Sequence, residues 1–271
     1  SSVTPENCNK EETFSKFQPK VTARYDLSED ASVYGSWGIG FRSGQFNQSG
    51  TAEAALAGGV AGVKDVVDQE EVETWELGFK SELFDKRLRF NTSAFYTTDK
   101  NPFYFVFIGE VGAQVLVNID EVELYGIEVE ATANLFEGFD AYTGFGYTKS
   151  EIKDYATNPG AVGNWAPYVP KTTFNLGAQY RTSITENLGI FARVDYERRG
   201  KQYWDPENST ARSALDLVNL RVGLEDPEGV WALTGTVMNA TDEVYNSEWV
   251  VGGFSHAAQP RTWHIDLRYN F

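Results

Sequence analysis

The last ten residues alternate without a break. Trp263, Ile265, Leu267, Tyr269 and Phe271 fall on one side of an extended chain, and Thr262, His264, Asp266, Arg268 and Asn270 on the other. A two-residue period of this kind is the pattern of a strand with one apolar and one polar face. One such segment would suit a soluble sandwich equally well, but the pattern is serial. Val218, Leu220, Val222 and Leu224 oppose Asn219, Arg221 and Gly223; Ile190, Ala192, Val194 and Tyr196 oppose Arg193, Asp195 and Glu197. Tyr125, Ile127, Val129, Ala131 and Ala133 likewise oppose Glu128, Glu130 and Thr132. Further matches begin at Val21, Val33, Trp75, Leu88, Phe139, Phe174 and Trp231, which predicts about eleven strands.

The links between these strands alternate in length. Turn-like links fall at 28–30, 84–86, 136–138, 184–187 and 226–229, and long links at 43–72, 99–120, 149–171, 199–212 and 240–261. In an up-and-down meander, strict alternation places every short turn at one rim and every long loop at the other. Barrels of the bacterial outer membrane have that anatomy, with short periplasmic turns. It puts Phe271 at the periplasmic side and the stretch from Ser1 to Ser15 outside. An odd strand count suits an incomplete barrel, since single-chain bacterial barrels normally have an even number.

The charges agree with this reading. Arg181, Arg193, Arg221, Glu128 and Glu130 all occupy the polar faces, so the apolar face is free to meet lipid. Trp37, Trp75, Tyr147, Tyr180, Tyr196, Trp231 and Trp263 gather toward strand ends, as interfacial girdles do. A net charge of −16 argues against nucleic acid as a partner. Cys8 is the one cysteine, and His256 and His264 are the only histidines, so no metal centre, catalytic histidine cluster or cofactor is expected. Glycine groups at Gly35, Gly38 and Gly40 and at Gly144 and Gly146 lie within strands and open no helix, unlike phosphate loops; they are expected to be small residues facing the lumen. An acidic run, Asp65, Asp68, Glu70, Glu71 and Glu73, lacks the glycine-punctuated spacing of a calcium loop.

Several segments resemble the C-terminal barrel of TonB-dependent outer-membrane receptors. They are QPKVTARYDL at 18–27, ASVYGSWGIGFRSGQFN at 31–47, ETWELGFK at 73–80, Asn118 followed by Gly126, Glu128 and Glu130, VPKTT at 169–173, MNATDEVY at 238–245 and PRTW at 260–263. The resemblance spans nearly the whole chain. It implies that residues 1–271 are about the last 11 of 22 strands of a transmembrane antiparallel barrel, with the plug domain and TonB box outside this chain. It implies a receptor, not an enzyme, for active uptake of a scarce nutrient, most often a ferric siderophore. Cobalamin, haem or a glycan are the other classes in the family, and a passive porin-like channel is the rival reading. The implied partners are outer-membrane lipid, the TonB–ExbB–ExbD system acting through the plug, and an iron chelate or other small nutrient. A monomer is expected when complete.

The resemblance also implies that Ile265, Leu267, Tyr269 and Phe271 form the signature read by the barrel-assembly machinery. The outer loops hold Trp165, Tyr168, Tyr203, Trp204, Trp249 and Phe254, with Arg199, Lys201, Arg212 and His256. Aromatic faces grip apolar ligand parts and cations attract an anionic chelate. Arg42, Trp165, Tyr203, Trp204, Trp249 and His256 are therefore the candidate ligand-binding residues. Lys20, Arg24, Arg193, Arg221, Asp195, Glu128 and Glu130 are expected to line the lumen.

Overall fold

The computed structural model describes residues 11–109, 112–250 and 252–271. Cys8 and the first ten residues of the stretch assigned to the outside lie outside the described residues. In chain order the elements are β1 (Lys20–Ser28), β2 (Ala31–Arg42), α1 (Thr51–Ala57), β3 (Glu70–Leu83), β4 (Leu88–Lys100), β5 (Phe103–Ile108), β6 (Ala113–Asn118), β7 (Glu121–Phe136) and β8 (Phe139–Asp154). There follow β9 (Thr172–Thr185), β10 (Leu188–Arg199), β11 (Gln202–Tyr203), β12 (Ala211–Arg212), β13 (Leu215–Glu225), β14 (Trp231–Met238), β15 (Asn246–Trp249), β16 (Ser255–Ala257) and β17 (Thr262–Tyr269). Eleven of these strands make one antiparallel sheet in the order β1-β2-β3-β4-β7-β8-β9-β10-β13-β14-β17. The eleven expected strands are those eleven. The other three strand pairs are hairpins inside the long loops.

Register carries the faces across the sheet, because residues directly paired in an antiparallel ladder share a side. From Ile265 the apolar side runs through Gly235 and Val222 to Ala192, then Tyr180 and Phe139. At the other edge Val21 pairs with Trp37, Trp37 with Trp75, Trp75 with Tyr96, and Tyr96 with Tyr125. The alternating apolar residues of successive strands therefore join into one continuous surface. The opposite surface carries Lys20, Arg24, Glu128, Glu130, Arg193, Asp195 and Arg221. Gly35 departs from the expectation: it pairs with Leu77 on the apolar side, while Gly38, Gly40, Gly144 and Gly146 share the polar side.

The apolar surface has a defined height. On β7 it runs from Tyr125 to Leu135 with no charge, ten steps of about 3.3 Å, which at a tilt of about 40° span roughly 25 Å. That is the height of the apolar band of an outer-membrane barrel. Directly above, on the same side, charges begin together. Glu123 meets Lys153 at 3.1 Å, and Glu151 meets Lys153 at 2.8 Å and Lys149 at 2.9 Å. Aromatic rings mark the boundary and aim their polar ends at these carboxylates. The Tyr96 hydroxyl donates to Glu123 and that of Tyr196 to Asp216, each at 2.5 Å, and the Trp37 indole donates to Glu73 at 2.7 Å. At the lower rim Phe136 stacks on Phe139 with centroids 4.8 Å apart, beside Tyr180.

Polar-side glycines make room for neighbouring rings. Tyr34 lies over Gly78, Tyr142 over Gly177 and Phe191 over Gly223, so a Cβ at any of these glycines would enter the ring. Tyr142 is also held by Asp195 and by Arg193, whose Nη2 lies 3.1 Å from its hydroxyl. Gly177→Ala is expected to destabilise by about 1–3 kcal/mol through overpacking, measured by denaturant unfolding of the protein in detergent. Gly40→Ala, with nothing within 4 Å of its Cβ position, is expected to change stability by under about 0.5 kcal/mol.

The buried apolar core lies mostly in the long loops. Ala55 of α1 packs on Ile108 and Val115 of the β5–β6 hairpin. Ile119, Val122 and Ile152 pack with Tyr155, Ala161 and Ala166 of the loop after β8. Hydrogen bonds join neighbouring loops: Asn47 Nδ2 donates to the Leu116 carbonyl at 2.8 Å, and Asn208 Nδ2 to that of Trp165 at 2.8 Å. The Tyr168 hydroxyl donates to the Trp249 carbonyl at 2.9 Å. The loops thus form one interlocked layer at the rim opposite the short turns.

Candidate ligand site and family

The loop between β10 and β13 is folded by one carboxylate. Asp205, 1% exposed, accepts from the backbone of Ser209 at 2.8 Å and of Thr210 at 2.7 Å, and from the Thr210 hydroxyl. Burial by itself would raise its pKa, but the hydrogen bonds from Thr210 and Ser209 outweigh it and hold the carboxyl below the ordinary range. The result is a closed turn that sets Trp204 and Arg212 on either side of it, with β11 paired to β12 through Gln202 and Arg212.

A pocket of about 510 Å³ opens between this turn and the loop carrying β15, lined by Trp204, Arg212, Leu215, Tyr245 and Trp249 among others. Its Leu215 pairs with Arg199, and Leu217 with Glu197, which places this wall on the polar side of the sheet. A second pocket, of about 430 Å³, is lined by Asp99, Phe103, Tyr104, Tyr168 and Glu248 among others. Burial raises the phenol pKa of Tyr168 to about 12, so that ring is a neutral donor.

The candidate residues divide between these places. Trp204 and Trp249 meet at the first pocket, Trp204 as a packed wall at 3% exposure with Tyr168 edge-on at 5.2 Å, and Trp249 at 38%. Trp165 and Tyr203 flank one cation: Lys171 Nζ lies 4.5 Å from the indole and 5.6 Å from the phenol ring. Trp165 also donates its indole N–H to the Val169 carbonyl at 3.0 Å. Arg42 sits at the top of β2, paired with Glu70 and lying 4.0 Å over Phe103 at the rim of the second pocket. His256 stands apart on the β15–β16 hairpin, its Nδ1 2.8 Å from Glu248 and its ring 5.0 Å from Phe254. Tyr245, Leu215 and Asp205 were not singled out by sequence; Asp205 carries the one legible signal, an Asp-Pro pair opening a turn. The acidic run does not converge. Asp68 pairs with Lys64, Glu70 with Arg42 and Glu71 with Lys16, on different faces, and no group of metal-binding side chains occurs among the described residues.

A sheet with one continuous lipid-height apolar face and one loop-capped rim agrees with the family model that the sequence matches, the TonB dependent receptor-like β-barrel, over residues 2–240. The chain belongs to this family. It is part of a β-barrel of the Gram-negative outer membrane. The ferric-pyoverdine 358 receptor of Pseudomonas putida is 24% identical over 258 residues, covering 91% of this chain and 28% of that protein. The pesticin receptor of Yersinia enterocolitica is 26% identical over 258 residues, covering 93% of this chain and 36% of the relative. The chain thus spans about a third of the length of these curated relatives, which are receptors and not enzymes. Among solved structures, the ferric yersiniabactin uptake receptor FyuA from Yersinia pestis superposes with a TM-score of 0.74 at 20% identity, covering 93% of this chain and 37% of that one. The ferric preacinetobactin receptor BauA from Acinetobacter baumannii gives a TM-score of 0.70 at 21% identity, covering 94% and 36%.

Proposed function

We propose that this family member forms the wall and outer loops of a receptor that captures a ferric siderophore outside the cell and imports it with energy delivered through TonB. The observation that carries the reading is the loop layer, which places aromatic and cationic side chains together at the outer rim of a barrel wall. Relatives named as receptors for ferric pyoverdine and for catecholate siderophores support the ligand class. Strands β1 and β17 end the sheet without pairing to one another, and an open edge inside lipid leaves backbone groups unsatisfied. Residues 1–271 then supply the C-terminal part of a barrel domain closed by further strands, to make a monomer. A plug in that remainder contacts the polar face and links it to TonB, ExbB and ExbD. The test is accumulation of iron-55 from a panel of ferric siderophores by cells with and without the gene. Loss of uptake of at least one chelate, repeated by removing TonB, is expected; uptake that ignores both deletions contradicts the proposal.

Assembly is proposed to depend on the outward face of β17. Ile265, Leu267, Tyr269 and Phe271 lie bare on the apolar side at the sheet edge, and Tyr269 meets Phe271 edge-on at 5.6 Å. Such an edge is a template for an incoming strand of the assembly machinery. Phe271→Ala is expected to lower severalfold the heat-modifiable barrel recovered from outer membranes; an unchanged yield removes this role.

A further inference from the structure

Every described arginine at or beyond the outer strand ends except one faces a carboxylate: Arg42 has Glu70, Arg198 has Asp216, Arg199 has Glu197 and Arg261 has Asp242. Arg212 has none. Its Nη2 donates to Gln202 Oε1 at 3.1 Å, and its Nε is buried with no partner. Burial first, and then the neighbouring Arg199, lower its pKa, and the longer-range pull of Tyr245 and of Glu197, whose carboxylate is already paired with Arg199, does not cancel them. A half-buried guanidinium with no carboxylate in contact costs stability, and such a group lining a cleft marks a candidate anion site. The guanidinium lies 6.0 Å from the Trp204 ring and shares the first pocket with Tyr245 and Trp249. The ligand that fits is therefore anionic at one end and flat and apolar behind it, since the aromatic walls suit a planar body and the cation a carboxylate.

We propose that the pocket between the β11–β12 turn and the β15 loop is an anion-selective subsite, in which Arg212 binds a carboxylate carried on a planar ring. This rests on the ligand-capture reading above. The probes are benzoate and benzamide, which share a ring and differ in charge. They are titrated against the full receptor in detergent, followed by ligand-observed magnetic resonance and tryptophan fluorescence. Benzoate is expected to bind at least tenfold more tightly than benzamide and to weaken as salt is raised. Arg212→Gln is expected to remove that preference while leaving benzamide binding alone, and Arg212→Lys, which keeps the charge, to retain part of it. Folding of each variant is checked by heat-modifiable migration, and Arg212→Lys decides the matter if Arg212→Gln does not fold. Equal binding of the two probes, or a benzoate preference that survives Arg212→Gln, overturns the subsite. Iron-55 uptake distinguishes the two levels: uptake with no charge preference at this pocket defeats the subsite alone, and absence of any chelate uptake defeats the receptor reading.

Discussion

Val222→Arg is expected to destabilise the protein in a bilayer by about 2–4 kcal/mol, the cost of a guanidinium at the lipid midplane. Val222 sits in the middle of β13, 60% exposed, with Ala192 and Gly235 beside it on the apolar side. Were that side wet, an arginine there would be nearly neutral, within about 0.5 kcal/mol. The control is Asn175→Arg. Asn175 lies exposed on the polar side opposite Gly144 and Glu197, where the new charge keeps its hydration, so a change under about 1 kcal/mol is expected. Reversible unfolding in lipid vesicles measures both, and similar losses for the two variants would contradict the assignment of faces.

Asp205→Ala is expected to open the loop between β10 and β13. The substitution leaves the backbone N–H groups of Ser209 and Thr210 without their acceptor, at a cost of about 3 kcal/mol for hydrogen bonds to a charged group. Amide exchange across residues 203–212 should accelerate roughly a hundredfold, with the sheet unchanged. The same carboxylate gives the loop a pH dependence. Because its folded pKa lies below the unfolded value of about 3.9, its contribution is complete above about pH 4 and is lost as pH falls through the folded value. Loss of protection in this loop on acidification, taken relative to the intrinsic exchange rate at each pH and absent in Asp205→Ala, is the expected pattern. Trp204 and Arg212 hang on this turn, so its opening should also abolish benzoate binding.

The barrel strands were legible because lipid on one side and a polar interior on the other impose an unbroken two-residue period. Where that constraint lapses, legibility lapses too. Strand β8 continues to Asp154, past the expected end near Lys149, since above the lipid its outward positions take Glu151 and Lys153 and the alternation no longer holds. Strand β3 likewise starts at Glu70, inside the expected long loop. The β5–β6 hairpin was missed for a different reason: FYFVFI at 103–108 has no alternation because the loop layer covers parts of both sides, with Val106 and Ile108 in its core on one side, and Phe103 under Arg42 and Phe107 against Phe254 on the other. The pocket was only half readable. Aromatic and cationic loop residues marked its chemistry, but which of them converge is set by loop-on-loop packing with no local signature. Trp204 reads the same in sequence whether it is an open platform or, as found, a packed wall.

The most direct measurement of the central claim, that one face of this sheet meets lipid and the other an aqueous interior, is a spin-label accessibility scan along β13. Labels placed singly at Asn219, Leu220, Arg221, Val222 and Leu224 in the reconstituted receptor are relaxed by oxygen, which partitions into lipid, or by a water-soluble nickel chelate. The expected result is a two-residue period, with oxygen favoured at Leu220, Val222 and Leu224 and the nickel chelate at Asn219 and Arg221. A reversed phase, or uniform access to the nickel chelate along the strand, would contradict it.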